Sequence, residues 1–213
     1  SIKNDVTIVA ATKTRSINEI TEVIEAGAEH IGENYAYPEA FEKYEKLGDI
    51  SIKLKWHLIG HLQSNKINKA IQIFDLIQTV DSVKKAIEID KRVENAGKIF
   101  IPVLLEINSG KEEEKTGFMP VIKKVKEALV QMEDLKHIEI RGLMTMGPAT
   151  GNPENARKFF TLTRKIFEKM KDVNTINSKM QILSMGMSNS YKVAIEEGAN
   201  MVRIGSLIFG ERK

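Results

Sequence analysis

The stretch TIVAATKTR (7–15) begins as apolar, β-branched strand and delivers Lys13 into what reads as its last position. Burying an ammonium costs several kcal/mol unless a partner compensates or its pKa falls, so Lys13 either emerges into water or works. A lone strand-end lysine usually marks only where a sheet meets solvent. Two other segments bear on the choice. SMGMSNS (184–190) runs straight into the helical pattern YKVAIEEGA, and RIGS (203–206) closes the last apolar run. Glycine and small hydroxyl residues ahead of a helix present several backbone N–H groups and a partial positive charge, which suits an anion. Alone, the first segment would read more readily as an ordinary N-cap through Ser188 or Ser190; two such turns on neighbouring strands reverse that. Arg203 stands two residues from Met201 and from Gly205, so strand alternation points all three to one side. An inward arginine needs an acceptor, either a structural ion pair or a ligand. His57 and His61 have the i, i+4 spacing of a helical zinc pair, but they fall in a strand and a turn and lack the glutamate of HExxH. A core or pocket role is therefore expected, not a metal. Met144, Met146, Met185 and Met187 read as core filler or as soft walls for a flat aromatic ligand.

These residues need a scaffold, and the apolar patterning supplies one. Short apolar runs recur at 6–11, 29–32, 55–60, 74–79, 98–107, 138–145, 180–185 and 200–205. Helical patterns lie between them, such as INEITEVIEAGA, with Ile17, Ile20, Ile24 and Ala28 on one face, and VKKAIEIDKRVENAG, ending on a capping Gly97. Each strand but the last is followed by a helix. Strand and helix repeated with short connections predict parallel βαβ units, and eight strands predict a single-domain (β/α)8 barrel of the TIM type over residues 1–213. Chemistry in that fold sits at the C-terminal ends of the strands. There the sequence places Lys13, Glu33 and Asn34, His61 and QSNK with His57 inside its strand, Asn108, Met144 and Thr145, then the two small-residue turns.

Composition excludes several classes. With 213 residues, 42% hydrophobic and 29% charged, the chain suits one globular domain or at most two small ones. A net charge of +3, with signs alternating along helices such as KKVKEAL, argues against a nucleic-acid partner. The absence of cysteine excludes disulfides, a thiolate nucleophile and a Cys-ligated metal. The longest apolar run, IFIPVLLEI, is about half a membrane span, and SIKNDVTIVAATK has no signal-peptide pattern, so a cytoplasmic protein without membrane partners is expected.

One cofactor asks for a strand-end lysine, an anion-binding turn across the barrel mouth and an inward arginine. Pyridoxal 5′-phosphate needs an amine for its aldehyde, a nest for its phosphate and a partner for its ring nitrogen. A partly desolvated lysine is more often the neutral amine that attacks a carbonyl. An arginine at the ring nitrogen, where an aspartate would keep that atom protonated, makes a weaker electron sink.

The chain resembles the pyridoxal phosphate homeostasis proteins, a family related to the barrel domain of alanine racemase, almost from end to end. The resemblance is carried by VAATKT, GENY, WHLIGHLQSNK, INSGKEEEKTG with Asn108, Glu112, Lys115 and Gly117, RGLMTM, LSMGMSNSYKVAIEEGA and VRIGSLIFGER. It implies a single barrel holding the cofactor as a Schiff base on Lys13, with Ser188, Asn189, Gly205 and Ser206 near the phosphate and Arg203 near the ring nitrogen. Asn34, His57 and Met185 complete the expected cofactor-binding set, and no catalytic set is assigned. Only SIKND precedes VTIVAA, so the family's helix ahead of strand 1 is expected to be missing and the groove between strands 8 and 1 uncovered. Tyr37 and Pro38 are expected to rebuild the first turn of the helix that follows GENY, and Ser190 stands where an aspartate is usual.

The implied role is homeostasis of vitamin B6 cofactor and of amino and keto acids, without robust catalysis. Amino acids and apoenzymes that use the cofactor are the further expected partners of a monomer or weak homodimer. The alternative is a pyridoxal-phosphate-dependent amino-acid racemase. That reaction wants bases on opposite faces of the substrate; Lys13 would be one, the chain ends at strand 8, and no tyrosine among 35, 37, 44 and 191 is an obvious second. A phosphate-sugar isomerase or aldolase would need Glu33 or Glu106 as its base.

Overall fold

A computed structural model describes residues 5–112, 116–147 and 151–211. Its strands are β1 (Thr7–Ala11), β2 (His30–Glu33), β3 (Lys55–Leu58), β4 (Leu76–Val80), β5 (Ile101–Glu106), β6 (Ile138–Thr145), β7 (Ser178–Met187) and β8 (Met201–Ile204). Each pairs in parallel with its sequence neighbour, and β8 pairs with β1 to close the barrel. The (β/α)8 architecture expected from the alternation is the fold. Helices α1 (Ile17–Glu25), α2 (Phe41–Leu47), α3 (Asp49–Lys53), α4 (Ile67–Ile73), α5 (Val83–Asn95), α6 (Ile122–Gln131), α7 (Arg157–Lys171), α8 (Tyr191–Glu196) and α9 (Ser206–Phe209) connect and surround the strands. The last strand was expected to lack a helix. It is followed by α9, a single turn of SLIF too short to show a helical period.

Two cores follow from the two faces of the sheet. Outward residues such as Ile31, Leu58, Ile77, Leu105, Leu143 and Leu183 pack against Ile20, Ile67, Ile89, Leu129, Phe160 and Phe167 of the helices. Inside the barrel, Val9, Leu76, Leu104, Met144 and Met201 form a smaller cluster with Ile182 against it. On the outside of β1, Ile8 is 56% exposed and borders an open groove between α1 and α9. Asp5 and Val6 ahead of β1 are not helical. The rest of the expected missing helix concerns residues 1–4, which lie outside the described residues, as do Lys115 and Arg212 of the family motifs.

Local chemistry sets the start of α1, and with it the turn that carries Lys13. Ser16 Oγ accepts the Glu19 N–H while Glu19 reaches back to the Ser16 N–H, a reciprocal cap that fixes where the chain leaves the barrel mouth.

Candidate functional site

At the C-terminal ends of the strands lies a cavity of about 490 Å3 lined by Lys13, Asn34, Ser188, Asn189, Arg203, Gly205 and Ser206. Its apolar walls are Ile59, Met146 and Met187, and Arg15 and His61 also reach it.

Lys13 is half-buried in a turn that follows β1. The residues on both sides of it are tied to a buried charge cluster behind the sheet. Thr12 donates its hydroxyl to Glu33 Oε1 at 2.6 Å, and Lys43 Nζ donates to Thr12 O and Glu33 Oε1, both at 2.8 Å. Lys43 also donates to Glu39 Oε1 at 2.8 Å, which accepts the Thr14 N–H at 2.5 Å. Thr14 is held there at a φ of 64°, a left-handed conformation unusual for a β-branched residue. Burial pushes the Glu33 carboxyl above the usual carboxylate range in spite of Lys43 and Thr12. Burial also works against ionised Glu39, but its bonds from Lys43 and Thr14 outweigh that and hold it below the usual range.

Across the mouth, the loops after β7 and β8 are joined by one side chain. Ser188 Oγ accepts the N–H of Gly205 at 3.1 Å and of Leu207 at 3.4 Å, which leaves the Ser188 hydroxyl proton to donate. Gly186, at a φ of 89°, breaks the alternation of β7, and a Cβ there would lie 2.6 Å from Ala194 Cβ. Three residue steps along β7, from Ser184 to Met187, span what two steps along β8 span from Met201 to Arg203. That bulge turns Met187 into the cavity. Gly60 does similar work after β3, since a Cβ there would lie 2.4 Å from Asn34 O; its absence lets the Asn34 loop close over the mouth.

Arg203 is 4% exposed, and its guanidinium donates to Ser184 Oγ at 2.6 Å and to Thr145 O at 2.9 Å. Burial lowers its pKa to about 10, with Glu106 acting in the opposite direction, so it is a cation at neutral pH.

Two expected site residues lie elsewhere. His57 does point into the barrel, but one layer below the mouth, where it lines a separate cavity at the opposite end and contacts His30 and Gln78. Met185 precedes the bulge, faces outward and is fully buried in the core between sheet and helices. Of the four methionines, Met144 and Met185 are core and Met146 and Met187 are walls. Arg15 was missed altogether. It donates to Gly210 O at 2.8 Å, a contact 195 residues away in sequence, and to Glu19 at 3.1 Å, and no local pattern announces that placement.

The arrangement offers an amine, a buried cation and hydroxyl and amide donors around one cavity of cofactor size. Comparison with known proteins gives this a context. The family model described as "Alanine racemase, N-terminal domain" matches residues 2–213. The chain is 39% identical over 211 residues to a pyridoxal phosphate homeostasis protein of Aquifex aeolicus, covering 99% of this chain and 89% of that one. It superposes on PipY of Synechococcus elongatus with PLP bound at a TM-score of 0.84 and 32% identity, covering 96% and 92% of the two chains. An alanine racemase of Clostridium difficile shares the fold at a TM-score of 0.75 and 19% identity, with 98% of this chain matched to 52% of that one. The chain belongs to the alanine racemase N-terminal domain family and, within it, to the pyridoxal phosphate homeostasis proteins.

Proposed function

We propose that this barrel, as one domain over residues 1–213, holds pyridoxal 5′-phosphate through the Lys13 amine and serves the cytoplasmic homeostasis of vitamin B6 cofactor and of amino and keto acids. The observation that carries the reading is that a lysine amine and a buried guanidinium line the same cavity as the hydroxyls of two neighbouring loops. When bound, the cofactor supplies an aldehyde that bonds reversibly to primary amines and a ring that draws electrons from the bonded carbon. Lys13 offers the amine from a turn that Glu33, Glu39 and Lys43 hold still. Ser188 and Ser206 offer hydroxyls, and Asn34 and Asn189 amides, to the polar edge of the ligand. Arg203 keeps its own proton, so it can donate a hydrogen bond to a ring nitrogen without protonating it. Ser206 and Asn189 are exposed, and a mouth open to water suits exchange with solvent, amino acids or a partner apoenzyme better than sequestered chemistry. Among the described residues no helix is long and apolar enough to cross a membrane. A monomer or weak homodimer is the proposed state.

The direct test is the visible absorption of the purified protein on adding pyridoxal phosphate; no new band would sink the proposal. Replacing Ser188 and Ser206 together by alanine is expected to weaken binding, each lost charge-assisted bond contributing about 1.5–3 kcal/mol before water compensates. Loss of Ser188 also frees the Gly205 and Leu207 N–H groups, so the loops themselves loosen. Unchanged affinity in the double variant would put the phosphate elsewhere.

Turnover of amino acids at an enzymatic rate is not expected. The described residues lining the cavity include no carboxylate and no tyrosine; Tyr35 is 63% exposed and outside it. A missing opposite-face base forfeits acid–base help typically worth about 10²–10⁴-fold. Incubation of the loaded protein with L-amino acids in deuterated water should therefore give slow α-deuterium incorporation. Rapid incorporation with formation of the D-enantiomer, lost in Lys13→Ala, would put a racemase first.

A further inference from the structure

Inward positions of eight-stranded barrels are filled mainly by branched apolar side chains. Here an unbroken line of polar groups runs along the axis instead. Arg203 Nη1 donates to Ser184 Oγ at 2.6 Å, and Ser184 Oγ donates to Gln78 Oε1 at 2.7 Å. Gln78 Nε2 lies 3.0 Å from His57 Nδ1, and His57 Nε2 lies 2.9 Å from His30 Nδ1. Gln78 and Ser184 are fully buried and His57 nearly so, whereas His30 is half-buried at a cavity of about 600 Å3 in the opposite mouth.

Chemistry fixes the direction of every bond in this line. A guanidinium only donates, so Ser184 Oγ accepts from it and sends its own proton to Gln78 Oε1. The Gln78 amide cannot be turned over, because Nε2 also donates to Met201 Sδ at 3.3 Å, and a carbonyl there would face a sulfur with no proton to give. His57 Nδ1 therefore accepts, its proton sits on Nε2, and His30 Nδ1 accepts in turn. Burial, with His30 and Lys55 acting the same way, pushes the His57 pKa down to about 3 and keeps the ring neutral. The donors all point away from Arg203, so their aligned dipoles favour its buried charge.

We propose that Gln78 is a positioning residue for Arg203, and that the line through His57 carries the protonation state of His30, at the far mouth, to the cofactor end of the barrel. The inference rests on the reading of the upper cavity as a pyridoxal phosphate site. A proton on His30 Nδ1 removes the acceptor of His57 Nε2–H. His57 then has to change tautomer or turn, and Gln78 and Ser184 lose the arrangement that holds the guanidinium. The charged groups around His30 are Glu29 just ahead of β2, Lys55 on β3, Asp75 ahead of β4, Asp5 ahead of β1, and Lys98 and Arg141 across the lower cavity. Burial lowers the pKa of His30, with Lys55 adding to that and Glu29 and Asp75 opposing, so the effect belongs on the acid side of the ordinary histidine range.

The test reads the absorption band of bound pyridoxal phosphate against pH, together with long-range proton–nitrogen NMR spectra of the histidines. In the unaltered protein His57 is expected as the neutral Nε2–H tautomer, and the band should shift on the acid side in step with His30 titration. Gln78→Met, close in shape but without the amide, should bind the cofactor on the order of tenfold more weakly and shift the band at neutral pH. His30→Ala should abolish the acid-side shift, and it decides the matter if Gln78→Met does not fold. A folded Gln78→Met with the original band and affinity, an acid-side shift that survives His30→Ala, or His57 found protonated on Nδ1 would each overturn the inference. No bound band even in the unaltered protein would instead overturn the reading of the cavity, a result distinct from a band present and indifferent to Gln78.

Discussion

Borohydride reduction of the protein loaded with pyridoxal phosphate is expected to leave essentially all of the pyridoxyl label on the peptide containing Lys13, and Lys13→Ala to abolish it. Among the described residues Lys13 is the one lysine that lines the upper cavity. The competing lysines are placed differently: Lys66 sits with its Nζ 5.0 Å over the Tyr37 ring, Lys43 is committed to Glu33, Glu39 and Thr12, and many of the others lie on solvated helix faces. Accessibility alone therefore cannot concentrate a label on Lys13, since exposed lysines are more numerous and less hindered. Only a site that presents the aldehyde to that amine can, because proximity raises the effective concentration of the reacting pair by orders of magnitude. Lys13→Ala should retain part of its affinity for the phosphate through the loops that Ser188 joins, while losing the visible band. Peptide mapping that finds the label chiefly on Lys66 or Lys115, or a label that survives Lys13→Ala, would remove Lys13 from the site.

How far the sequence alone could reach is shown by where it stopped. The barrel was legible because eight apolar runs alternate with helical patterns, and each run by itself forms a buried strand whichever neighbours it meets. Lys13, Asn34, Arg203 and the two small-residue loops were legible because strand ends in this fold converge on one mouth. His57 shows the limit. Alternation tells that it points inward, but not in which layer, because the stagger of neighbouring strands sets the height of each residue; its register against Gly32 and Leu76 puts it below the mouth. Met185 fails for a different reason. It shares parity with Met187 in a regular strand, and the bulge at Gly186 gives the two residues opposite faces. The glycine between two methionines was the available signal, since glycine inside a strand pattern often marks a bulge. The Arg15 contact with Gly210 and the axial chain through Gln78 join residues far apart in sequence and had no local signature.

Replacement of Lys43 is expected to have the largest effect on stability, and the reason links the outer core to the site. Lys43 is 8% exposed, and its ammonium compensates Glu33, whose Oε2 is buried with no hydrogen-bond partner. Lys43→Met keeps the packing of the stem but leaves that carboxyl with Thr12 alone, and breaking a buried pair in this way typically costs about 3–5 kcal/mol. At roughly 2–4 °C per kcal/mol for a domain of this size, thermal unfolding should report it plainly. Glu33→Gln is expected to be milder, because the amide oxygen still accepts from Lys43 and Thr12, and in the Lys43→Met background it should restore stability by removing the unpaired charge. The pH dependence has a definite sign. Burial raises the folded pKa of Glu33, so the folded state keeps a proton that the unfolded chain releases, and stability falls as pH rises above the usual carboxylate range. Without Lys43 that pKa rises further, so the deficit of Lys43→Met should widen as pH rises above the usual carboxylate range and shrink below it, where Glu33 is protonated in both states. A deficit that is constant with pH, or a double variant no more stable than Lys43→Met, would show that Glu33 is not the group left stranded. The same ammonium holds Thr12 O, and Glu39 holds the strained Thr14, so the two residues flanking Lys13 lose a restraint together. Cofactor retention in Lys43→Met should therefore fall even at temperatures where the variant is fully folded, because an amine on a loosened turn must be ordered anew each time it meets its aldehyde.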